Sequence, residues 1–385
     1  MIPYSRQKIS NLEIQSVIKV LKSDFLTQGP ILPKFENKLK KKVNAKYAVA
    51  VNSATSALHI ACMSLGIGKG DSVWTSSNTF VASVNCAIYC GADIDLIDIE
   101  YKSYNLDIVI LENKLRIAKK NKNLPKAIIP VHFAGNPTRQ RKIYTLSKKY
   151  GFKIIEDASH SLGAKQNEEP VGSCKYSDLT VFSFHPVKNI TTAEGGAVVT
   201  NNKTLYEGLL MFRNHGITKN KNKFKKFKHF AWYFEQQEIG YNYRMNEIQA
   251  AIGIVQLKKL DSFIKKRNSI AKKYDSMLDN LPVKKIFIEN SNYCAFHLYP
   301  IVIENFNLKK IDTLINFFKK NKIYLQKHYI PIYRHPYHSK NFNIKNFPKT
   351  EKYFRSSVSL PIFPDLKINH QKKIVTILKN FIEQN

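Results

Sequence analysis

Residues 179–200 read LTVFSFHPVKNITTAEGGAVVT, from Leu179 to Thr200, and this stretch decides the fold class. It begins with a short apolar run, passes through a polar turn that contains Lys188, and ends in a second short apolar run. Apolar runs of this length, bounded by Pro and Gly, are typical of strands buried in a sheet. The stretch therefore predicts two buried strands joined by a turn that carries a lysine.

The same alternation extends from about Val43 to Thr200, where short β-rich apolar runs alternate with helical stretches. This pattern predicts an α/β domain whose seven-stranded, mostly parallel sheet is covered by helices on both faces. The predicted strands are Tyr47–Val51, Ser72–Thr75, Ile94–Ile97, Ala127–Val131, Lys153–Glu156, Leu179–Phe184 and Gly196–Thr200. The predicted helices between them are Thr55–Leu65, Val81–Cys90 and Thr138–Tyr150.

A long helix over Asn246–Leu278 is predicted to lead the chain away from this domain. A smaller α+β unit follows it. Its predicted elements are the strand Ala295–Ile303, the helix Lys309–Asn321, the strand Ile323–Leu325 and the closing helix His370–Ile382. We therefore expect a large domain with an N-terminal arm over residues 1–250, and a connecting helix and small domain over residues 251–385.

Composition favours a soluble globular protein. The 385 residues are 43% hydrophobic, enough for one large core and a smaller one. The sequence has no apolar run of the roughly 18 residues that a membrane helix needs, and Met1 to Ser10 is too polar for a secretory signal. We expect a cytoplasmic protein without a membrane partner. The five cysteines form no C-x-x-C pair, so we expect no metal site.

The formal net charge of +32 raises the possibility of nucleic-acid binding. Only nine of the 61 basic residues are Arg, the residue that reads bases and clamps phosphates, and the lysines are spread along the chain. We therefore expect no specific nucleic-acid partner. The basic run 219–228 ends near the aromatic cluster Phe230, Trp232, Tyr233 and Phe234. It predicts a long loop over residues 219–234, and whether this loop touches a substrate stays open.

Lys188 is the first candidate for chemistry. It follows a strand in a turn between His185-Pro186 and a Thr-Thr-x-Glu-Gly-Gly stretch, where polar side chains and backbone freedom favour a nearby ligand. A lysine that attacks a carbonyl must be neutral, and desolvation beside another cation lowers its pKa. Standing alone, such a lysine is more often a surface residue after a strand.

Two further features support a ligand site. Asp157 ends a predicted parallel strand, where side chains point into the crevice in which open α/β sheets bind ligands. The segment Val51 to Leu58 runs from a strand through small hydroxyl residues into a helix, and free amides at a helix start bind phosphate. Each feature alone could be a helix cap. A P-loop, a G-x-S-x-G elbow and a correctly spaced dinucleotide fingerprint do not occur.

Four segments carry a resemblance: NSATSAL at 52–58, EDASHSLG at 156–163, FSFHPVKNITTAEGGA at 182–197 and IGYNYRMNEIQAA at 239–251. In this order they resemble the fold-type I nucleotide-sugar aminotransferases, the DegT-like family. The resemblance covers almost the whole chain. It implies a fold-type I architecture and pyridoxal 5'-phosphate as the cofactor.

The resemblance also implies residue roles. Lys188 would hold the cofactor as a Schiff base and move the proton, and Asp157 would pair with the pyridine nitrogen. The other implied cofactor contacts are Thr55, Ser56 and Ser183 at the phosphate, Asn242 at the same phosphate from the other subunit of a homodimer with a shared active site, Phe80 stacked on the ring, and His160 beside the phenolic oxygen. An aromatic residue at position 80 could equally belong to a core.

A narrower resemblance concerns the substrate. His160 stands where many relatives carry Gln, and together with HLYP at 297–300 and HYIPIY at 328–333 it resembles the enzymes that aminate a UDP-linked 4-keto sugar in pseudaminic acid biosynthesis. The candidate substrate contacts are then Thr27, His328, Tyr329 and Tyr333. The last three could equally be packing residues.

The implied reaction is a ping-pong transamination with glutamate as the donor and 2-oxoglutarate as its product. Related dehydratases place a histidine at the position of Lys188, so the lysine favours amination over deoxygenation. The alternatives left open are a legionaminic acid, bacillosamine or perosamine precursor as substrate, and two non-enzymes: a cofactor-binding regulator and a nucleic-acid-binding protein.

Overall fold

The computed structural model describes residues 1–227 and 230–384. The α-helices of the described chain are α1 Asn11–Leu21, α2 Ile31–Lys42, α3 Ala54–Ser64, α4 Ala82–Tyr89, α5 Ile108–Lys120, α6 Gln140–Tyr150, α7 Lys203–Arg213, α8 Glu247–Leu278, α9 Leu308–Lys320, α10 Pro348–Ser356 and α11 Ile368–Glu383. Short 3-10 helices lie at Phe133–Gly135, Lys221–Lys223, Ile332–Arg334, Ser339–Asn341 and Ile344–Asn346.

The strands are β1 Tyr47–Val51, β2 Ser72–Ser76, β3 Asp93–Ile97, β4 Ala127–Ile129, β5 Lys153–Asp157, β6 Lys165–Gln166, β7 Glu169–Pro170, β8 Leu179–Ser183, β9 Gly196–Thr200, β10 Ile217–Thr218, β11 Glu235–Gln236, β12 Val283–Lys285, β13 Asn292–Tyr293, β14 Tyr299–Ile303 and β15 Ser357–Leu360. The seven strands predicted between Val43 and Thr200 are confirmed, with ends that differ by one or two residues.

These seven strands form one sheet in the order β1-β9-β8-β5-β4-β2-β3. Neighbours from β3 to β8 are parallel, whereas β9 runs antiparallel to both β8 and β1. Every residue of β8 and β9 is buried, because helices cover both faces of the sheet. The predicted α/β class with a mostly parallel seven-stranded sheet is confirmed.

The small unit is built around the antiparallel sheet β12-β14-β15, with α9 and α11 packed on it. Two predictions need correction here. The strand predicted over Ala295–Ile303 begins only at Tyr299, and Ile323–Leu325 is not a strand. Ile323 forms a single bridge with Ile2. The apolar alternation of the segment 323–325 arises because Ile323 and Leu325 pack into the core and do not extend the sheet. Strand β15, which sequence analysis missed, pairs with β14 instead.

Helix α8 joins the two cores. It begins with a capping box formed by Asn246 and Gln249. Leu257 and Leu260 on its first half pack into the large-domain core, and Ile270 and Tyr274 on its second half pack into the small-domain core. The helix therefore fixes the two cores side by side, and the division at residue 250 stays a prediction.

Other sequence predictions concern features outside the two cores. Within residues 1–227 and 230–384, no helix has the length and apolar character that crossing a bilayer would require. In the same ranges, no three His, Cys, Asp or Glu side chains cluster as metal ligands would. The predicted long loop over 219–234 contains the 3-10 helix Lys221–Lys223, and its residues 228 and 229 lie outside the described part of the chain.

Candidate active site

The candidate site lies where the parallel strands end. Asp157 is the last residue of β5 and Ser183 is the last residue of β8, and Ser183 pairs with Gly196 at the start of β9. Carboxyl ends of neighbouring parallel strands form the crevice in which open α/β sheets bind ligands. The turn that contains Lys188 connects β8 to β9 across this edge.

Hydrogen bonds fix the backbone around Lys188, and burial removes its amine from solvent. Its N–H donates to the His185 carbonyl at 2.9 Å, and Ser5 Oγ from the N-terminal arm donates to the Val187 carbonyl at 3.1 Å. Burial lowers the pKa of Lys188 to about 8, although the nearby Asp157 charge acts in the opposite direction. Near neutral pH a usable fraction of this amine is therefore uncharged.

The Asp157 carboxylate is buried and fixed at both oxygens. Ser83 Oγ donates to Oδ2 at 2.6 Å, and the Ser159 N–H donates to Oδ1 at 3.1 Å. Thr79 Oγ1 lies 2.8 Å from Ser83 Oγ and supplies the proton of that bond, since Ser83 uses its own proton on Asp157. Sequence reasoning missed Ser83 and Thr79, because a serine inside a helix and a threonine before it carry no distinctive pattern.

The start of α3 forms a cradle beside Ser183. Ser53 Oγ accepts from the Ser56 N–H at 3.1 Å and lies 3.0 Å from Ser56 Oγ, while the first amides of the helix have no partner within it. A Cβ on Gly196 would lie 2.5 Å from the Ala54 amide nitrogen, so only glycine allows β9 to approach the helix start this closely. Thr55 is partly exposed here, next to the buried Ser56.

Three buried histidines surround Lys188. Burial, with a smaller contribution from the Lys188 charge, lowers the pKa of His160 and His297 well below the ordinary value, and that of His328 to about 3. All three imidazoles are therefore neutral at physiological pH. His328 Nδ1 lies 2.9 Å from Ser359 Oγ. His297 begins the HLYP segment that carries the narrower resemblance, but sequence analysis gave it no role at the site.

Tyr329 connects the small domain to the site. Its hydroxyl lies 2.9 Å from His160 Nε2, and its backbone N–H donates to Asn78 Oδ1 at 3.1 Å. The ring of Phe80 is 55% exposed and its centroid lies 5.9 Å from that of Tyr329. Phe80 is thus not a core residue in this chain, and its exposed face is available to a planar ligand. Tyr4 of the N-terminal arm packs against His328 at a ring distance of 5.6 Å.

Within one chain, three of the predicted substrate and cofactor contacts do not lie beside Lys188. Tyr333 is buried in an apolar cluster with Val84, where its hydroxyl donates to Glu351 at 3.0 Å and its ring stacks on Phe347. This geometry supports the packing alternative for Tyr333. Thr27 is exposed on the loop between α1 and α2, and Asn242 is exposed on a segment that bridges to Asn214.

Pyridoxal phosphate requires an amine that can be neutral, a carboxylate for its ring nitrogen and hydrogen-bond donors for its phosphate. Lys188, Asp157 and the start of α3 present these groups at one edge of the sheet, and Gly196 places no side chain against the Ala54 amide at the helix start. The residues present fit the cofactor. Fold and site together define a pyridoxal-phosphate-dependent aminotransferase.

Comparisons with known proteins give the family. The model of the DegT/DnrJ/EryC1/StrS aminotransferase family matches residues 7–379, and the chain belongs to this family. It is 36% identical to the UDP-4-amino-4,6-dideoxy-N-acetyl-beta-L-altrosamine transaminase of Campylobacter jejuni over 386 residues, which cover 100% of this chain and 98% of that protein.

Solved structures of similar proteins are also sugar aminotransferases. PseC of Helicobacter pylori, an aminotransferase involved in the biosynthesis of pseudoaminic acid, is similar with a TM-score of 0.91 at 31% identity over the full length of both chains. A putative sugar aminotransferase from Streptococcus pneumoniae in its PLP form has a TM-score of 0.89 at 27% identity and covers 100% of this chain and 99% of its own. The protein is a pyridoxal-phosphate-dependent sugar aminotransferase.

Proposed function

We propose that the protein transfers an amino group from glutamate to C4 of a UDP-linked 4-keto-6-deoxy-N-acetylhexosamine, a step in pseudaminic acid biosynthesis. Lys188 beside Asp157 is the observation that supports the chemistry. The Campylobacter jejuni and Helicobacter pylori relatives, similar over the whole chain, support the substrate. We propose the cytoplasm as the compartment, because UDP-linked sugars and glutamate are cytoplasmic metabolites.

When bound, pyridoxal phosphate supplies an aldehyde for covalent attachment and an electron-withdrawing ring. Lys188 Nζ provides the nucleophilic amine and then accepts and returns a proton, and a pKa of about 8 suits it to both tasks near neutral pH. Its neighbours His160, His297 and His328 have lowered pKa values, so they are weaker bases than Lys188 and do not take the transferred proton from it.

The role of Asp157 follows from its fixed orientation. Hydrogen bonds from Ser83 and the Ser159 N–H fix the carboxylate at the edge of the sheet, where it would pair with the ring nitrogen of a bound cofactor. A preoriented charge avoids the cost of reorganisation during the reaction. The start of α3, with Ser53, Thr55 and Ser56, would hold the phosphate together with Ser183.

We also propose a homodimer with a shared active site. Asn242 is exposed on its own chain, on a segment that also exposes Tyr241 and Ile239. Exposed apolar residues of this kind favour burial against a second copy. Asn242 would then reach the phosphate that the partner's α3 binds.

The test is a product assay with the purified protein, pyridoxal phosphate and glutamate. UDP- and GDP-linked 4-keto sugars are offered in parallel, and products are identified by mass spectrometry and NMR. Amination of the UDP-linked 4-keto N-acetylhexosamine with release of 2-oxoglutarate is expected. Preference for a GDP-linked sugar, or for the precursor of legionaminic acid or bacillosamine, would contradict the substrate but not the enzyme class.

A further inference from the structure

The imidazole of His160 has a defined partner at each nitrogen. The Ala134 N–H donates to Nδ1 at 3.3 Å, and the Tyr329 hydroxyl lies 2.9 Å from Nε2. His160 is 4% exposed. Both contacts therefore lie in a region where the loss of either hydrogen bond is costly.

These contacts determine which nitrogen carries the proton. Burial and the positive charge of Lys188 lower the pKa of His160, so the ring is neutral and has one N–H. A backbone amide can only donate, so Nδ1 must present its lone pair to Ala134. The single proton of His160 is therefore on Nε2, and it is donated to the Tyr329 oxygen.

This arrangement constrains Tyr329 in turn. Burial raises the pKa of Tyr329, with a further contribution from the Asp157 charge, so the phenol keeps its proton. That proton cannot be directed at His160, because Nε2 already carries one. The hydroxyl must donate elsewhere, on the side where the exposed Phe80 ring and the Asp157 charge lie near it.

We propose that His160 acts as a positioning residue that makes Tyr329 an obligate hydrogen-bond donor to an oxygen atom of the bound ligand. Two sources offer such an oxygen: the phenolic oxygen of the cofactor and an oxygen on the sugar ring. The proposal deepens the proposed function and rests on it for the identity of the ligand. The direction of the His160–Tyr329 hydrogen bond does not depend on which sugar is the substrate.

The first test reads that direction in the cofactor-free protein. Selective ¹⁵N-histidine labelling and NMR report which ring nitrogen of His160 is protonated, with His160→Gln used to assign its signals. We expect the Nε2–H tautomer. An Nδ1–H tautomer or a charged ring would overturn the proposal, and neither result depends on sugar amination.

The second test measures binding rather than turnover. Tyr329→Phe removes the donor, and Tyr144→Phe is a matched control on the surface, where Tyr144 packs against Tyr176. Pyridoxal phosphate and UDP-N-acetylglucosamine are titrated separately. We expect roughly three- to tenfold weaker binding of one probe by Tyr329→Phe, and the probe affected identifies the oxygen. Unchanged binding of both probes would overturn the proposal.

Variants at position 160 separate positioning from packing. In His160→Gln the amide oxygen can accept from the Ala134 N–H while the amide N–H₂ donates to Tyr329, so the same direction is preserved. His160→Leu fills a similar volume without either bond. We expect His160→Gln to bind both probes as the unmodified protein does and His160→Leu to reproduce the defect of Tyr329→Phe. Unimpaired binding by His160→Leu would contradict the positioning role.

Discussion

Ser83 Oγ donates a hydrogen bond to Asp157 Oδ2 at 2.6 Å, and this bond joins helix α4 to the end of strand β5. Both groups are buried, and the second carboxylate oxygen is occupied by the Ser159 N–H. The carboxylate that would face the cofactor ring is therefore oriented by its neighbours and not by the cofactor alone. Such supporting bonds tune the group they hold.

Replacing Ser83 tests this support. Ser83→Ala leaves Asp157 with one protein donor fewer, and we expect kcat to fall on the order of tenfold, with little change in KM for glutamate. Ser64→Ala is the matched control, because Ser64 Oγ donates only to the Ala61 carbonyl of its own helix. Steady-state kinetics of both variants provide the comparison, and an unchanged kcat in Ser83→Ala would show that Asp157 needs no such support.

The lowered pKa of Lys188 predicts a pH-dependent stability. In cofactor-free protein its pKa is about 8 when folded and 10.5 when unfolded, so between these values the unfolded state binds more protons and stability rises with pH. Lys188→Met lacks this group, so its stability advantage over the unmodified protein should be largest below pH 8 and shrink towards pH 10.5. Urea unfolding across this range measures both curves, and parallel curves would contradict the lowered pKa.

Gly196 is predicted to be irreplaceable at the phosphate cradle. In Gly196→Ala the new Cβ would lie 2.5 Å from the Ala54 nitrogen and 2.6 Å from the Ser53 carbonyl carbon, both of which are backbone atoms that cannot turn aside. We expect a loss of about 1–3 kcal/mol in the free energy of unfolding and weaker binding of pyridoxal phosphate. Gly208→Ala is the control, since its Cβ would meet its nearest neighbour at 3.4 Å. Equal cofactor affinity in the two variants would show that the start of α3 does not bind the phosphate.

Mixing two inactive variants tests the shared site. Lys188→Ala lacks the amine, and Asn242→Ala lacks the residue proposed to cross the interface. A mixed dimer has one site in which both residues are intact, so co-refolding should restore about a quarter of the unmodified activity if subunits pair at random. Activity no higher than the mean of the separate variants would place Asn242 in its own subunit's site or outside any site.

The sheet could be predicted from the sequence because each strand is marked by the apolar residues of its own segment. Strands buried on both faces appear as short continuous apolar runs, as in Leu179–Ser183. The helices between them show apolar residues at three-to-four spacing. Ile323–Leu325 has the same apolar appearance but packs without a ladder. Burial alone therefore does not distinguish a strand from an extended segment in a core.

The candidate site was predictable only in part. Lys188 and Asp157 stand in segments whose residue order resembles a family, whereas the contacts that adjust them connect distant parts of the chain. Tyr329 reaches His160 across 169 residues, and Ser83 reaches Asp157 across 74 residues. Such pairs depend on how the small domain and α4 pack against the sheet, and no local pattern encodes that. Tyr333, four residues after Tyr329, donates to Glu351 for the same reason.

The central claim is that Lys188 carries the cofactor, and reduction with borohydride tests it most directly. Purified protein is incubated with pyridoxal phosphate, reduced, digested and mapped by mass spectrometry. We predict a stable pyridoxyl group on the peptide that contains Lys188 and the disappearance of the visible absorption band. A pyridoxyl group found only on other lysines, such as the partly buried Lys327 with its own lowered pKa, or no modification at all, would contradict the account.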